Sequence, residues 1–435
     1  MAEDDQEPGR DQPASSRGRR SFLKKAGVFG GLLGIGSLLK YRSQLFLINK
    51  APYLAETPQP AWKGSTVASH RRLGRTGWKM SDISFGAARV RDPELVRQAL
   101  DRGMTYIDTS PDYSDGDSER AVGGGIKGRR DKVFIASKFC SPDGHLDKDA
   151  PVAEIIKAVD DTLGRLGTDY VDLLHIHACN SIDRLMAPTF HEAFDRLKEQ
   201  GKARFMGVSS HTPELEKVMN HAVDSGRFDV IMVAYNFEHW PDLTGIIEKA
   251  GRKDVGFVAM KTLKGAYHTV LSDFTPNERS SFTQAAFKWV GSNPGVSGLV
   301  VTIKDPAQLD EYLYASGKKL DPDDLALLER YDELASADYC RPGCGQCLSS
   351  CPHGVPVDDV LRYTMYYDSY GDERTAMRDY ARLERAAGDA RRRGLNKPST
   401  AEACLGCPAP CQQVCPYKLP IREKLVRAHG LLKTA

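Results

Sequence analysis

The chain has 435 residues, of which 41% are hydrophobic, and its 60 basic and 58 acidic side chains leave a formal charge of +2. This length excludes a single small fold and suits one barrel-sized domain with a smaller second domain. Because acids and bases nearly balance, we expect no nucleic-acid partner. Eight of the ten cysteines fall between Cys340 and Cys415, a distribution typical of a local metal site rather than of a disulfide-stapled fold.

Residues 1–55 are predicted to be a disordered segment that contains an export signal and a hydrophobic stretch. The first eighteen residues are polar and cannot bury enough apolar surface to order themselves. Residues 19–25 (RRSFLKK) and the apolar stretch 26–39 resemble a twin-arginine export signal, which the twin-arginine translocase reads. The alternative is a basic patch before a short buried helix. The resemblance implies an exported protein, periplasmic or membrane-tethered facing outward, with cleavage near Ala51 or Ala55 left open.

From residue 82 to 315, short apolar runs alternate with amphipathic stretches every 30 residues or so, roughly the length of a βα unit. Eight such units close a barrel, so the fold class predicted for residues 68–335 is α/β, a (β/α)8 TIM barrel. The predicted strands are 83–85, 105–108, 133–137, 171–176, 204–208, 230–233, 256–260 and 298–301. The predicted outer helices are 93–102, 152–166, 188–200, 213–225 and 282–290. Function is expected at the carboxyl ends of the strands.

Polar motifs stand at four of these predicted strand ends. They are residues 106–113 (YIDTSPDY), 136–138 (ASK), 169–177 (DYVDLLHIH) and 207–209 (GVS). In order and content they resemble the aldo/keto reductase family. The resemblance implies a catalytic tetrad of Asp108, Tyr113, Lys138 and His177, an NADP(H) cofactor, and a small-molecule carbonyl or alcohol substrate.

These residue types suit hydride reduction of a carbonyl. The oxygen gains negative charge and needs a proton, but an ordinary tyrosine with a pKa of about 10 is a weak donor at neutral pH. The ammonium of Lys138 would favour the phenolate form of Tyr113, and Asp108 would hold that ammonium in place. His177 would donate a hydrogen bond to the substrate oxygen. Each residue alone has an ordinary structural explanation, whereas all four in family order favour a catalytic site.

The nicotinamide contacts implied by the family are incomplete here. At the family's cofactor-binding positions the chain has Ser210, Met232, Gln308 and Tyr312. Ser209 and Ser210 suit a carboxamide and Lys304 suits a phosphate, but Met232 offers no hydrogen-bond donor. Gly265 falls in a loop that resembles the family's pyrophosphate cover, while Lys261 before it could be a solvated charge.

Two cysteines lie close to the predicted tetrad. Cys140 and Cys179 come two residues beyond Lys138 and His177, so both are expected near the mouth of the site. They could form a disulfide after export or contact substrate. The favoured reading is that they are small semi-buried residues.

Residues 336–435 contain two cysteine runs that each end in Cys-Pro, with the spacings C-x3-C-x2-C-x3-C-P and C-x2-C-x3-C-x3-C-P. They resemble bacterial two-cluster ferredoxins and imply a small, mainly α-helical, ferredoxin-like domain with one or two 4Fe-4S clusters. By that family's crossed rule, the two ligand sets are Cys340, Cys344, Cys347 and Cys415, and Cys404, Cys407, Cys411 and Cys351. Zinc and, third, disulfides are the alternatives. The stretch 358–396 between the runs is predicted to be solvated helix.

The combined prediction is an exported oxidoreductase of aldo/keto reductase type that moves hydride between NADP(H) and a carbonyl or alcohol. Its clusters would exchange electrons with a redox partner protein. Because nicotinamide moves two electrons and each cluster one, a flavin partner or purely structural clusters must also be considered. The alternative from another class is an electron-transfer or scaffold protein whose barrel has lost nicotinamide binding, which Met232 and Tyr312 would permit. The substrate is not named by the fold.

Overall fold

The computed structural model describes residues 58–211, 214–237, 243–263, 280–335, 340–341, 344–368, 373–392 and 399–433. The predicted export signal, both cleavage positions and Gly265 lie outside these residues. Within the described ranges, no helix combines the length and the apolar character that a membrane crossing requires.

In the described part of the chain, eight parallel strands close into a barrel. They are β1 (Ile83–Gly86), β2 (Tyr106–Asp108), β3 (Phe134–Lys138), β4 (Val171–Ile176), β5 (Ala203–Ser210), β6 (Val230–Ala234), β7 (Gly256–Met260) and β8 (Gly298–Thr302). Each strand pairs with its sequence neighbours, and β8 closes the cylinder against β1. Every strand overlaps its predicted range, so the predicted barrel is confirmed.

The barrel interior is packed with side chains. The ring of Tyr106 stacks on Phe134 with centroids 5.4 Å apart, and Phe134 stacks on Phe205 at 6.1 Å. Leu173 and Met232 belong to the same buried cluster. Strands buried on both faces read as continuous apolar runs, which is why the sequence pattern located them.

Among the described residues, each strand is followed by a helix of eight or more residues. These helices are α1 (Pro93–Asp101), α2 (Asp117–Ile126), α3 (Val152–Leu166), α4 (Pro188–Glu199), α5 (Leu215–Ser225), α6 (Thr244–Arg252), α7 (Phe282–Ser292) and α8 (Pro306–Leu313). Side chains define several starts: Asp92 caps α1 before Pro93, and Ser281 with Gln284 forms a capping box at α7. A hairpin of His70–Arg72 and Lys79–Ser81 precedes β1, and a smaller one of Cys140–Ser141 and Gly144–His145 follows β3.

The C-terminal segment has its own core. Helix α9 (Pro322–Ala335) still packs on the barrel core, through Tyr331 among others. Beyond it, α10 (Val357–Asp368), α11 (Glu373–Arg392) and α12 (Ile421–Leu432) pack together with several of the cysteines. The prediction of helix over 358–396 agrees with α10 and α11, but the prediction that this helix is solvated is wrong. Val360, Ala376 and Tyr380 are fully buried, because each helix carries a narrow apolar stripe that packs inside the segment.

This segment contacts the barrel at the carboxyl ends of three strands. Arg362 of α10 donates to the carbonyl oxygen of His211, just beyond β5, at 2.6 Å. The Lys261 ammonium, just beyond β7, is partly exposed and lies 4.9 Å from the centroid of the Tyr366 ring. Arg382 of α11 donates to the Asp143 carbonyl in the loop after β3 at 3.0 Å. The cysteine segment therefore packs on the functional rim of the barrel.

Replacing Arg362 by methionine is expected to loosen this contact. The guanidinium is largely buried and also pairs with Asp359 at 2.8 Å, and hydrogen bonds to charged groups contribute about 1.5–3 kcal/mol each. Hydrogen exchange should become faster in α10 and around His211. Arg427→Met, which removes a pair with Asp368 inside the segment, is the control and should leave exchange near His211 as in the wild type. Unchanged exchange in Arg362→Met would contradict the interpretation.

Candidate active site

Asp108 and Lys138 form a buried ion pair at the ends of β2 and β3. The Lys138 Nζ lies 2.9 Å from each carboxylate oxygen of Asp108 and 2.7 Å from the carbonyl oxygen of Thr109. The Lys138 side chain is 0% exposed and the Asp108 side chain 6%. Burial raises the pKa of Asp108, while the charge of Lys138 opposes that rise. The ammonium is thus fixed in position by three acceptor oxygens.

Tyr113 lies against this pair. It opens a short 3-10 turn, Tyr113–Gly116, in which Ser114 and Asp115 have left-handed φ values of 52° and 57°. Such values are costly for non-glycine residues and concentrate at functional sites. The Lys138 Nζ lies 4.5 Å from the centroid of the Tyr113 ring. The ring also meets that of His177 edge-on, with centroids 6.1 Å apart, so the structure brings all four predicted tetrad residues together.

His177 follows the last residue of β4, and Ala178 after it has a left-handed φ of 46°. Its imidazole is neutral at physiological pH because burial first, and then the charge of His145, hold its pKa well below 6.5. A neutral imidazole donates from one nitrogen and accepts at the other. Which nitrogen faces the substrate therefore depends on what contacts Nδ1.

The Cys140 thiol contacts that nitrogen. Its Sγ lies 3.2 Å from the Nδ1 of His177, and burial raises its pKa well above 9, so the proton stays on sulfur. The nearest carboxylate oxygen, Asp112 Oδ2, is 3.7 Å from Nδ1, beyond hydrogen-bond reach. A thiol that donates to Nδ1 leaves the imidazole proton on Nε2, whereas an Nδ1–H that donates to sulfur leaves Nε2 as an acceptor. Neither Cys140 nor Cys179 forms a disulfide, and Cys179 is fully buried with its Sγ 3.4 Å from the Ser181 carbonyl.

Sequence analysis missed two members of the site, Asp112 and His145. The rings of His145 and His177 lie 4.4 Å apart, and Asp112 Oδ2 is 3.7 Å from a nitrogen of each. The hairpin after β3 pairs His145 directly with Cys140. The spacing Cys140-x4-His145 and the position of Asp112 one residue before Tyr113 were the available signals, and neither is informative without the hairpin register.

Of the residues predicted to contact nicotinamide cofactor, Ser209 and Ser210 make hydrogen bonds within the protein, whereas Lys304 is exposed. The Ser209 hydroxyl accepts from the Ala178 amide at 3.1 Å, and the Ser210 hydroxyl donates to the Cys179 carbonyl at 2.8 Å. Both hydroxyls therefore tie the end of β5 to the segment after β4. Lys304, after β8, is exposed, and its pKa is lowered to about 8 by partial desolvation and by the neighbouring charge of Arg89.

The remaining cofactor positions face inward. Met232 is buried inside the barrel. Gln308 accepts from the Lys304 amide at 2.9 Å, and Tyr312 packs edge-on against Phe287 with centroids 5.2 Å apart. Gln308 and Tyr312 therefore complete the packing of α8. All three side chains are buried rather than exposed in an open groove.

The tail cysteines are grouped across the two runs, and none forms a disulfide. Burial raises the pKa of Cys340 to about 12, with Cys347 and Cys344 among its charged neighbours. Burial raises that of Cys404 to about 11, with Cys351 from the other run as its first sulfur neighbour. Cys415 of the second run and Cys340 of the first both interact electrostatically with Arg341. Cys415 and Cys344 both do so with Tyr417.

Residues 78–280 match the aldo/keto reductase family. The barrel therefore resembles those of aldo/keto reductases. Similar curated proteins are L-galactose dehydrogenase of Arabidopsis thaliana (33% identical over 177 residues, 37% of this chain and 54% of the relative) and aldo-keto reductase YhdN of Bacillus subtilis (35% over 148 residues, 33% and 44%). A thermostable aldo-keto reductase crystallised with the inhibitor epalrestat is 26% identical with a TM-score of 0.50, covering 60% of this chain and 99% of its own.

The chain spans about half the length of the curated relatives it matches. Methylglyoxal reductase YeaE of Escherichia coli is also similar, with 33% identity over 141 residues that cover 32% of this chain and 45% of the relative. By name, these three relatives are a dehydrogenase and two reductases.

Acidification is expected to destabilise the barrel through His175. This residue of β4 is fully buried, and burial lowers its pKa to about 3. A lowered histidine pKa means that the unfolded chain binds the extra proton first, so stability falls as pH drops below about 6.5, by about 1.4 kcal/mol per pH unit. Urea unfolding between pH 7 and about pH 4 measures this slope, which should be shallower in His175→Met. The exposed-site control His70→Asn should keep the wild-type slope, and an equal slope in all three proteins would refute the assignment.

Proposed function

We propose that this protein is an exported oxidoreductase that interconverts a small carbonyl compound and its alcohol with NADP(H), and that its C-terminal iron-sulfur clusters exchange electrons with a redox partner. The observation that carries the catalytic part is the ammonium of Lys138, held by Asp108 and Thr109 against the ring of Tyr113. Neutral His177 lies at the edge of the same ring.

The chain's own residues account for the proton and the orientation in this reaction. Bound NADP(H) supplies or accepts the hydride. Tyr113 gives its phenolic proton to the substrate oxygen, and the Lys138 ammonium stabilises the phenolate that remains. The Nε2–H of His177 donates to the same substrate oxygen and fixes its orientation. Asp108 keeps Lys138 in place without taking a proton itself.

A cation pair favours a phosphate-bearing cofactor. Lys304 and Arg89 lie close enough for their charges to interact, and both follow barrel strands at the carboxyl rim, where TIM barrels bind phosphate. We expect Lys304→Met to weaken NADPH binding by about 10- to 100-fold, since a hydrogen bond to a charged group contributes about 1.5–3 kcal/mol. Quenching of tryptophan fluorescence by NADPH and NADH measures both affinities. Lys157→Met, which removes an exposed lysine of α3, is the control and should bind NADPH like the wild type.

The inward-facing Met232, Gln308 and Tyr312 favour a second candidate, an electron-transfer or scaffold protein with a barrel that has lost nicotinamide binding. The same titration separates the two. No quenching by either nucleotide, in protein with its clusters intact, would replace the reductase proposal with this one.

The geometry of the tail cysteines supports iron-sulfur clusters over zinc. Four thiolates around one zinc ion lie about 3.8 Å apart, given bonds of about 2.3 Å. Among the described residues, no three tail sulfurs lie within 4.8 Å of one another. A four-iron cluster spaces its thiolates further apart because each binds a different iron. Anaerobic preparations should contain iron and acid-labile sulfide, and Cys351→Ala should contain less of each. Zinc without sulfide would overturn the assignment.

Arg362 links the cluster segment to the active site. It contacts His211 at the barrel rim, and its charge acts on Cys340 of the first run. The cluster on Cys340, Cys344, Cys347 and Cys415 would therefore be the one nearer the barrel mouth. Since each cluster takes one electron and a hydride carries two, a partner with a flavin suits the exchange.

The export part of the proposal is supported by the sequence of residues 19–39. In a bacterial host, fractionation should find the wild-type protein outside the cytoplasm. Arg19→Lys with Arg20→Lys should retain it inside, because the signal is read through the paired arginines. Equal distribution of both proteins would contradict export by this route.

A further inference from the structure

Four side chains at the mouth of the barrel form a cluster that the proposed reaction does not explain. They are Asp112, Cys140, His145 and His177, and one potential ligand atom from each lies within 4.8 Å of all the others. We infer that they bind one transition-metal ion of the zinc class.

The distances suit a single tetrahedral ion. Cys140 Sγ is 3.2 Å from His177 Nδ1, and Asp112 Oδ2 is 3.7 Å from both His177 Nδ1 and His145 Nε2. With zinc bonds of about 2.0–2.3 Å, ligand atoms of a tetrahedron lie about 3.3–3.8 Å apart. A metal can therefore enter with small side-chain adjustments and no movement of the strands.

The ligand types select the metal. One sulfur and two imidazoles favour zinc and similar ions, whereas magnesium and calcium require mainly oxygen ligands. Asp112 is preset, because its Oδ1 accepts a hydrogen bond from the Ser110 hydroxyl and its Oδ2 faces the histidines. Cys140 would bind as the thiolate and release its proton to solvent.

An ion has a route to this cluster, since the His145 side chain is 36% exposed while Cys140 is buried. Charges of both signs surround the rim. The charges of Arg184 and Arg382 interact with His145, and the charge of Asp379 interacts with that of Asp112. Such a rim offers no strong barrier to a cation whose own ligands include a carboxylate and a thiolate.

Metal binding would change what holds His177. The ion would take Nδ1, so the proton would remain on Nε2, the nitrogen that donates to substrate in the proposed reaction. The metal would thus fix the tautomer of His177, which the contact between Cys140 and Nδ1 alone does not decide. The metal site does not depend on catalysis; this effect on His177 rests on the proposed function.

Metal content and X-ray absorption test the site in full-length protein whose clusters have been reconstituted, so that the tail cysteines are occupied. After incubation with zinc and desalting, we expect one zinc per chain, bound by one sulfur and three nitrogen or oxygen atoms. A zinc surrounded by four sulfurs, or no retained zinc, would overturn the inference.

Single variants locate the ion. His145→Ala and Cys140→Ser should each weaken zinc binding by at least about 10-fold, since loss of even an outer-shell partner costs that much. Cys179→Ser is the matched control, as a buried cysteine outside the cluster, and should retain zinc. Tyr113→Phe should retain zinc as well, whatever its activity, so failure of the metal site and failure of the reductase proposal give different results. If His145→Ala folds normally and keeps zinc at wild-type affinity, the site is excluded.

Discussion

Replacing Tyr113 by phenylalanine is expected to lower kcat by about 10²- to 10⁴-fold, the usual contribution of a positioned acid or base. The ring remains beside Lys138 and His177, so packing is kept while the proton donor is lost. Steady-state NADPH oxidation with a panel of small aldehydes and ketones measures the effect. NADPH binding, followed by fluorescence, should stay within a factor of a few of the wild type.

The control for this variant is Tyr170→Phe, which removes a hydroxyl from a tyrosine that stacks on Arg130 at the opposite end of β4. It should leave kcat unchanged. A Tyr113→Phe enzyme that retains most of its activity would show that the proton comes from another group, and the catalytic role of the whole tetrad would then be lost.

Lys138→Met is expected to destabilise the protein by about 3–5 kcal/mol, the cost of leaving one partner of a buried ion pair unpaired. Asp108 would lose its partner in a site that is nearly inaccessible to water, so it would have to carry an uncompensated charge or take up a proton. Chemical denaturation at pH 7 measures the change. The double variant Asp108→Asn/Lys138→Met removes both charges and should recover a large part of the loss.

The exposed pair Lys157–Asp161 on α3 provides the comparison. Removing its lysine should cost less than about 1 kcal/mol, because exposed ion pairs contribute little. If Lys138→Met were equally mild, the pair of Lys138 and Asp108 would contribute little to stability, and the proposed role of Asp108 in holding Lys138 beside Tyr113 would need revision.

The barrel and the rim position of the tetrad residues could be predicted from the sequence because the strand signals are local, whereas their assignment as a tetrad came from the resemblance to a family. A strand such as β4 is a continuous apolar run, and a polar residue at its end must lie at the carboxyl rim. His177 could be placed in this way with no knowledge of its neighbours.

The contacts that complete the site could not be predicted, because they depend on loop geometry. His145 reaches His177 only through the register of a hairpin with two-residue strands, and no periodicity marks so short an element. The inward packing of Gln308 and Tyr312 likewise follows from how α8 sits on the barrel. The burial of Arg362 depends on docking between two segments, for which a single sequence carries no pattern.

The docking of the cysteine segment on the barrel rim bears on how the protein can be dissected. Helices α10 and α11 contribute side chains to the surroundings of His211, Lys261 and the hairpin after β3. A fragment that stops after α9 would uncover these groups and give a wider, wetter entrance than the intact chain has. Substrate preferences measured on such a fragment would describe an opening that the complete protein does not possess.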